Sequence, residues 1–336
     1  MTLPAPIRLL LWPLSLVYGA AGWLRGRLYA AGILKTKRLP VAVVSVGNLT
    51  VGGTGKTPMV LWLAERFLAE GKRVAILSRG YRGSDGSSDE IEVMRARLGD
   101  GVVFGVGANR FEQGSKLAAQ RAIDVFLLDD GYQHLQLARD VNILLVDATR
   151  PLRQEYLLPA GRLREPLSAA DRADIIFFTR TGNQAAVENA TQKLPQIPVF
   201  PATTKLKGYR LLSSGGLDPA KAGPLPLQPV FAFCGIGNPE AFFADVQSWG
   251  NVLVGSKAFP DHHKYDLVDL LEVERVANAA SARSILMTAK DAVNLQGHAL
   301  ASLPAYACEI DLSVADDASA WGLIRTKLAW RAGAAR

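Results

Sequence analysis

The chain has 336 residues, which is long for one compact domain and sufficient for two. Its 49% hydrophobic and 21% charged residues are typical of a folded globular protein and exclude a disordered one. The two cysteines, Cys234 and Cys308, lie far apart without metal-ligand spacing, which argues against a disulfide framework and against a zinc site. The formal charge of +7 favours anionic partners, and without an RNA-binding signature nucleic acid is the weakest candidate among them.

An uncharged run, Leu9 to Leu24, opens the chain and is interrupted by Pro13. It is slightly short for a spanning helix, which needs about 20 apolar residues. A cleaved signal peptide and a buried core helix are the alternatives. An inserted or interfacial anchor is favoured, because basic residues follow directly and would meet an anionic membrane surface. These are Arg25, Arg27, Lys35, Lys37 and Arg38. The positive-inside rule then places the rest of the chain in the cytoplasm.

Short apolar runs alternate with amphipathic helical stretches along the rest of the chain. Continuous apolar runs of this length indicate strands buried on both faces, and hence a parallel sheet covered by helices. The predicted strands are 41–47, 73–78, 102–106, 125–128, 141–146, 174–179, 230–235, 252–259 and 284–288, and the predicted helices include 57–69, 239–249 and 267–279. A stretch rich in Pro and Gly, Ser213 to Pro229, predicts a linker or an irregular crossover.

A glycine-rich motif lies between the first predicted strand and the helix after it. Its residues are Thr50, Val51, Gly52, Gly53, Thr54, Gly55, Lys56 and Thr57. Small residues let successive backbone N–H groups point at phosphate oxygens, the lysine adds a positive charge, and the last hydroxyl ligates Mg²⁺. Thr50 replaces the first glycine of the generic pattern, but the strand–loop–helix context favours a P-loop over a simple glycine-rich turn. We therefore predict that the chain binds ATP and Mg²⁺.

The fold class that follows is α/β. We predict an N-terminal membrane-associated helix over residues 1–38 and a P-loop NTPase-like α/β/α core over 39–205. A second, smaller α/β/α domain is predicted over 206–336. Partitioning-type ATPases that cycle on membranes carry a second lysine early in the loop, where this chain has Val51, so that class is disfavoured.

Two adjacent acids, Asp129 and Asp130, follow the apolar strand 125–128. A carboxylate at the C-terminal tip of a strand beside the P-loop strand is where P-loop enzymes hold Mg²⁺, and ligands of open α/β sheets gather at that edge. A solvated turn is the alternative. We predict that these acids belong to the active site.

Asp261, His262 and His263 follow another predicted strand, and half of the four histidines of the chain lie in this tripeptide. A carboxylate or imidazole at this position could accept a hydroxyl proton or orient the group that does. A zinc site and a simple polar turn are the alternatives. Two weaker candidates are Ser88–Glu90, which could be only a helix cap, and Arg164–Pro166, which could be only a surface ion pair.

Together these motifs resemble the tetraacyldisaccharide 4'-kinase family over almost the whole chain. The blocks that carry the resemblance are Val46–Pro58, Ser78–Tyr81, Asp129–His134, Pro159–Gly161 with Arg164–Pro166, Gly235–Pro239 and Phe259–His263. The resemblance implies transfer of the γ-phosphate of ATP to the 4'-hydroxyl of tetraacyldisaccharide 1-phosphate, giving lipid IV-A, at the cytoplasmic face of the bacterial inner membrane. No obligate protein partner is expected.

The resemblance also implies residue roles. Lys56 would bind the phosphates, and Thr57, Asp129, Asp130 and Glu165 would be candidates for the metal site. Asp89 would be the catalytic base, paired with His262. The implied mechanism has His262 tune or orient Asp89, which accepts the 4'-hydroxyl proton as the phosphate transfers in line.

The chain departs from the family pattern in two blocks. The block with Asp89 reads Ser-Asp-Glu-Ile instead of Gly-Asp-Glu-Pro, and Met287–Ala292 has Ala289 where the family has glutamate. Two other functions stay open on the residues alone. One is a P-loop kinase or ligase acting on a small soluble molecule, which would not need the uncharged N-terminal run. The other is a membrane-bound ATPase switch, disfavoured by Val51.

Overall fold

The computed structural model describes residues 4–80, 88–149, 155–181, 197–213, 216–217, 226–295 and 297–334. They form two compact units. The first unit comprises the described residues within 1–81, 100–204 and 312–336, and the second comprises those within 82–99 and 205–311. Apart from a one-residue shift near residue 205, these bounds differ from the predicted domains at three places. Residues 4–38 belong to the first unit and form no separate unit. Residues 88–99 belong to the second unit, and residues 312–334 belong to the first.

The helices of the described residues are numbered in chain order. They are α1 (Ala5–Ala30), α2 (Lys56–Ala69), α3 (Asp89–Leu98), α4 (Arg110–Gln120), α5 (Pro239–Ser248), α6 (Leu267–Ala279), α7 (Ala289–Asn294) and α8 (Asp317–Ala334). Short 3₁₀ helices cover Gly99–Gly101 and Leu167–Arg172. The helices predicted from the sequence agree with α2, α5 and α6 to within one residue at each end.

A parallel sheet forms the centre of the first unit. Its strands are β1 (Ala42–Asn48), β2 (Val74–Ser78), β3 (Val102–Val106), β4 (Val125–Leu128), β5 (Val141–Asp147), β6 (Ile175–Thr179) and the first part of β7 (Val199–Ser213). They lie in the order β7–β6–β5–β1–β4–β2–β3, and their described pairings are parallel. Every residue of β4 and β5 is buried, as continuous apolar runs predict. The predicted α/β class is confirmed.

Aromatic side chains attach α2 and the C-terminal helix α8 to each other. The ring of Trp62 on α2 lies 6.0 Å from that of Phe177 on β6 and 5.9 Å from that of Trp321 on α8. Asp317 accepts hydrogen bonds from both Trp62 and Arg66. Burial of these three large aromatic rings fixes the face of α2 that packs against β6 and α8. α2 is the helix that follows the glycine-rich motif.

The second unit contains a smaller sheet in the order β10–β9–β11–β12, again with parallel pairings. These strands are β9 (Val230–Cys234), β10 (Leu253–Ala258), β11 (Ser284–Thr288) and β12 (Ala305–Val314). Alternate residues of β9 pack on opposite faces, because successive side chains of a strand point to opposite sides. Phe231 and Phe233 join a core with α6 and α7, whereas Val230 and Ala232 join a core with α5. This is the predicted α/β/α arrangement.

The predicted linker, Ser213 to Pro229, lies only partly within the described residues. β7 continues to Ser213, and β8 (Gly216–Leu217) pairs with it antiparallel. Residues 214–215 and 218–225 lie outside the described part of the chain. The sequence pattern did not predict β7 or β12, which are among the longest strands of the described residues.

The N-terminal helix α1 runs from Ala5 to Ala30 and continues through Pro13. The predicted interruption at Pro13 is therefore wrong. Leu9 and Leu10 are 76% and 78% exposed, and only 6% of the most apolar 18-residue stretch of α1 is buried. The alternative of a buried core helix is therefore also wrong. By length and composition α1 could cross a membrane.

Candidate functional site

The glycine-rich motif joins the C-terminal end of β1 to the N-terminus of α2, as the sequence predicts. Gly52 and Gly55 have φ angles of 108° and 83°, which glycine adopts without the steric penalty that a Cβ brings. Gly55 is the N-cap of α2, so the helix begins at Lys56. The free N–H groups and positive dipole end of α2 therefore lie next to the loop, as anion binding requires.

Side chains from three neighbouring segments hold the loop in this shape. The amide of Asn48 donates to the hydroxyl of Thr54 at 2.8 Å and to the carbonyl of Gly52 at 3.4 Å. The hydroxyl of Thr179 donates to the carbonyl of Thr54 at 3.1 Å, and the amide of Gln133 donates to the carbonyl of Asn48 at 2.8 Å. The loop is thus preorganised by hydrogen bonds to the body of the first unit.

Asp130 brings the loop lysine and an arginine together. Its Oδ1 lies 3.5 Å from Nζ of Lys56, and Nη1 of Arg164 lies 3.0 and 2.9 Å from its two carboxylate oxygens. Burial opposes ionisation of this carboxyl, but the two cations outweigh burial and hold its pKa below its ordinary value. β4 pairs with β1, so the tip of β4 meets the loop. The prediction that Asp130 lies beside the P-loop strand is confirmed.

Asp129 precedes Asp130 and is almost completely buried. It accepts a hydrogen bond from the hydroxyl of Ser78 at the end of β2, at 3.3 Å. Thr57, the second residue of α2, is also buried. Carboxylate and hydroxyl oxygens are the donors that Mg²⁺ prefers, so the donor chemistry of Thr57, Asp129 and Asp130 fits the ion.

Glu165 was predicted to join this metal set, and the structure pairs it with Arg172 instead. Among the described residues, no three His, Cys, Asp or Glu side chains are close enough to hold a metal ion together. The predicted three-carboxylate set is therefore not assembled. The guanidinium of Arg172 pairs with the carboxylate of Glu165, as that of Arg164 pairs with Asp130.

The second unit contains the Asp89–His262 pair. Nδ1–H of His262 donates to Oδ2 of Asp89 at 2.8 Å, and the side chain of Asp89 is only 7% exposed. Burial opposes ionisation of Asp89, but the hydrogen bond from His262 and the charge of Lys290 lower its pKa to about 2. The same hydrogen bond raises the pKa of His262. Asp89 is therefore ionised at neutral pH, with one oxygen held by the imidazole.

Ser88–Glu90 also forms the helix cap that the sequence analysis gave as the alternative interpretation of these residues. Ser88 is the N-cap of α3 and its hydroxyl accepts from the backbone N–H of Ile91 at 3.4 Å. Asp89 and Glu90 follow in the first turn, where the helix dipole favours negative charge. The cap therefore positions Asp89 at the start of α3 and does not compete with its contact to His262.

The helix α7, which begins within the Met287–Ala292 block to which the sequence assigned no role, lies beside this pair. Nζ of Lys290 lies 2.6 Å from Oε1 of Glu90, and the amide of Asn294 donates to Oδ2 of Asp89 at 3.4 Å. Asp291 is fully buried and accepts hydrogen bonds from the N–H of Gly235 and from the hydroxyl of Tyr265, both at 2.7 Å.

Gly235 links this buried carboxylate to the histidine turn. Its carbonyl accepts from the backbone N–H of His262 at 3.0 Å, while its own N–H is held by Asp291. His262 has a φ of 60°, a left-handed conformation that costs a non-glycine residue about 1 kcal/mol or more and needs such support. α7 therefore positions both members of the Asp89–His262 pair.

The two adjacent histidines have different surroundings. Nε2 of His263 lies 2.7 Å from Asp269, and its ring stacks on Phe259 with a centroid distance of 4.8 Å. Asp269 is the third residue of α6 and forms the capping box of that helix with Asp266. His263 thus stabilises the turn, and His262 alone contacts Asp89. Of Asp261, His262 and His263, the structure therefore favours His262 as the residue that orients Asp89.

Three residues in these arrangements were missed or given too little weight by the sequence patterns. Arg164–Pro166 was a weaker candidate that could be only a surface ion pair, yet Arg164 contacts Asp130. Lys290 and Asn294 lie far along the chain from Asp89. In the sequence, only the similarity of Met287–Ala292 to a family block drew attention to Lys290. Tyr81, quoted in the Ser78–Tyr81 block, lies outside the described residues.

Comparison with known proteins identifies the family. The model of the tetraacyldisaccharide-1-P 4'-kinase (LpxK) family matches residues 7–329. The chain is 43% identical to the tetraacyldisaccharide 4'-kinase of Pelobacter propionicus over 86% of this chain and 83% of that protein. It is 40% identical to that of Geobacter sulfurreducens, over 90% and 88%.

A solved structure agrees with these sequence matches. The crystal structure of LpxK from Aquifex aeolicus in complex with ATP superposes with a TM-score of 0.74 at 30% identity. The match covers 96% of this chain and 99% of that one. Sequence and fold thus agree over nearly the whole length, and the resemblance predicted from the motifs is confirmed. The chain belongs to the tetraacyldisaccharide-1-P 4'-kinase family.

Proposed function

We propose that this protein, an ATP-dependent kinase by its family, transfers the γ-phosphate of ATP to the 4'-hydroxyl of tetraacyldisaccharide 1-phosphate, a step of lipid A biosynthesis. The observation that carries the proposal is the preorganised P-loop with Lys56 beside Asp130, in a chain that matches the family from residue 7 to residue 329. The related A. aeolicus protein was crystallised with ATP, which supports ATP as the donor for this chain.

The loop and Lys56 bind the phosphates in this proposal. Backbone N–H groups of residues 52–57 surround the phosphate oxygens, and Lys56 places its charge at the β- and γ-phosphates. Before ATP binds, Lys56 is held near Asp130, which Arg164 also contacts. Because Arg164 stays with Asp130, that carboxylate remains paired when the lysine turns to the nucleotide.

Thr57, Asp129 and Asp130 would hold Mg²⁺, since they present oxygen donors at the loop and at the tip of β4. When bound, the ion would neutralise charge on the phosphate oxygens. Glu165 stays a weaker candidate because, among the described residues, it does not form one cluster with Asp129 and Asp130.

Asp89 is proposed to accept the proton of the acceptor hydroxyl. A carboxylate with a pKa of about 2 is a weak base, but the hydroxyl becomes strongly acidic as its oxygen bonds to phosphorus. A carboxylate that stays ionised and correctly oriented is therefore sufficient to accept the proton. His262 supplies the orientation through its hydrogen bond to Oδ2. Oδ1 accepts from the backbone N–H of Glu90 at 2.9 Å and has a second lone pair for the hydroxyl.

The apolar surface of α1 is proposed to bind the cytoplasmic face of an anionic inner membrane. Its exposed leucines and tryptophans, including Leu9, Leu10 and Trp12, form an apolar face, and Arg25 and Arg27 follow at its end. A lipid-linked acceptor lies in that membrane, so this contact would bring the enzyme to its substrate.

The test is a direct assay. Purified protein in detergent micelles is incubated with radiolabelled ATP, Mg²⁺ and tetraacyldisaccharide 1-phosphate, and lipid products are separated. We expect a doubly phosphorylated lipid, and none with the Lys56→Met variant. A folded wild-type preparation that forms no such lipid would contradict the proposed reaction. A product with a small soluble hydroxyl compound instead would favour the alternative of a soluble-substrate P-loop kinase.

A further inference from the structure

One residue of α1 is buried although the rest of the helix is exposed or half-buried. Ser15 is 3% exposed. Its hydroxyl donates to the carbonyl of Leu157 at 2.9 Å and accepts from the backbone N–H of Ala160 at 3.0 Å. A single hydroxyl thus satisfies both a backbone donor and a backbone acceptor of a segment more than 140 residues away.

Other residues of α1 contact the same segment. A Cβ placed on Gly19, one turn after Ser15, would lie 2.6 Å from Cδ1 of Leu157, so the helix and the segment are in close contact there. The guanidinium of Arg8 lies 5.2 Å from the ring centroid of Tyr156. Gly22, in contrast, has open space within 4 Å of the position that a Cβ would take. The contact surface therefore includes residues 8, 15 and 19 and does not include 22.

The segment 155–164, which we call the bracing segment, folds back on itself. The N–H of Leu163 donates to the carbonyl of Tyr156, and the N–H of Leu158 donates to the carbonyl of Leu163, both at 2.9 Å. Leu163 is 4% exposed and packs in the core of the first unit. The bracing segment is thus attached to the body of the unit through Leu163.

The far side of the bracing segment pairs with the start of the phosphate-binding loop. Thr50 and Leu163 form an antiparallel bridge. The N–H of Val51 donates to the carbonyl of Arg162 at 2.8 Å, and the guanidinium of Arg162 donates to the carbonyl of Val51 at 3.2 Å. Further along the bracing segment, Arg164 donates its N–H to the carbonyl of Leu49 at 2.7 Å.

We propose that Ser15 is a positioning residue of the ATP site, which acts by fixing the bracing segment against the phosphate-binding loop. The helix α1 then has two roles, attachment to a lipid surface and support of the loop that binds the nucleotide. This inference rests on the ATP site of the proposed function and is independent of the acceptor.

The experiment measures ATP binding by calorimetry with the full chain in detergent micelles and without any acceptor. In Ser15→Ala the N–H of Ala160 loses this partner and the carbonyl of Leu157 keeps only the N–H of Gly161, so we expect the Kd for ATP to rise roughly 3- to 10-fold. In steady-state assays the KM for ATP should rise similarly, while the KM for the lipid acceptor stays unchanged. An anchor with no role at the loop would produce neither change.

A matched pair of glycine variants gives the control. Gly19→Leu and Gly22→Leu add the same apolar surface to α1, but only the leucine at 19 must displace Leu157. We expect weaker ATP binding in Gly19→Leu, wild-type binding in Gly22→Leu, and equal attachment of both to vesicles of phosphatidylcholine and phosphatidylglycerol.

Wild-type ATP affinity in both folded Ser15→Ala and Gly19→Leu would overturn the inference. If Lys56→Met also left ATP affinity unchanged, the assigned ATP site would be wrong instead. The two failures are therefore distinguishable.

Discussion

Nδ1 of His262 and Oδ2 of Asp89 lie 2.8 Å apart although 173 residues separate them along the chain. Both belong to the second unit, so the segment with α3 joins a unit whose remaining residues come from 205–311. The contact explains why the predicted domain boundary missed residues 88–99. It also brings together the two residues that the family resemblance assigned to one catalytic pair.

Asp89→Asn should lower kcat by roughly 100-fold or more, because the amide cannot accept the hydroxyl proton. The KM for ATP should change little, since Asp89 is not a phosphate-binding group in the proposal. His262→Gln should lower kcat less, because the carboxylate is retained and only its orientation is weakened. Steady-state rates with saturating ATP and acceptor measure both variants.

Asp261→Ala is the control for these variants. Asp261 is adjacent to His262, but its side chain is 46% exposed and lies 3.9 Å from the imidazole. We expect near wild-type activity. A kcat loss in Asp261→Ala as large as that in Asp89→Asn would mean that general disturbance of the turn, and not loss of the base, explains the effect.

The pH dependence of stability follows from the same pair. The pKa of Asp89 is lowered from 3.8 to about 2, so its ionisation stabilises the fold above about pH 4 and the contribution is lost as pH falls toward 2. The shift corresponds to about 2 kcal/mol at pH 6. The pKa of His262 is raised above 6.5, so its contribution is present below pH 6.5 and is lost as pH rises through the folded value.

Urea unfolding of wild type and Asp89→Asn from pH 3 to pH 9 measures this dependence. The difference in unfolding free energy between them should be largest between about pH 4 and pH 6.5 and should decrease on both sides. A difference that is constant over the whole range would show that the pair does not titrate as the structure indicates.

Lys290→Met should raise the pKa of His262, because it removes a positive charge that opposes protonation of the imidazole. The pKa of Asp89 should rise for the same reason. Among the described residues, Asp261 also acts on the pair through its charge, and the backbone N–H of Glu90 and the amide of Asn294 act as neutral donors to Asp89.

NMR titration measures the Lys290→Met effect on His262 directly, since the chain has only four histidines. The variant Lys264→Met serves as the control for loss of a lysine in the same unit. An unchanged His262 titration in Lys290→Met would exclude an electrostatic role for Lys290.

Lys56→Met should abolish measurable ATP binding and turnover, because it removes the charge that contacts the β- and γ-phosphates. Asp130 keeps its contact to Arg164, so the fold should keep its stability to within about 1 kcal/mol. Calorimetric ATP titration and thermal unfolding test both parts. Lys72→Met, in the turn after α2, should bind ATP normally. Tight ATP binding by Lys56→Met would contradict the assignment of the loop.

Local patterns along the chain were sufficient for the parallel α/β class and for most strand bounds. β3, β4 and β11 coincide with their predicted ranges, because a strand buried on both faces must be a continuous apolar run. The long strands β7 and β12 were missed, since their residues are only partly apolar and follow no single pattern. The glycine-rich loop was found because its chemistry is contained in eight consecutive residues.

The phosphate-binding loop, the acids after β4 and the apolar character of α1 could all be predicted from neighbouring residues alone. Which of the candidate side chains meet became visible only in the folded chain. Folding pairs Glu165 with Arg172, joins His262 and not His263 to Asp89, and places the hydroxyl of Ser15 on the bracing segment. Contacts of this kind depend on residues far apart in the chain, and a local pattern contains no information on which distant partner burial will bring within hydrogen-bonding distance.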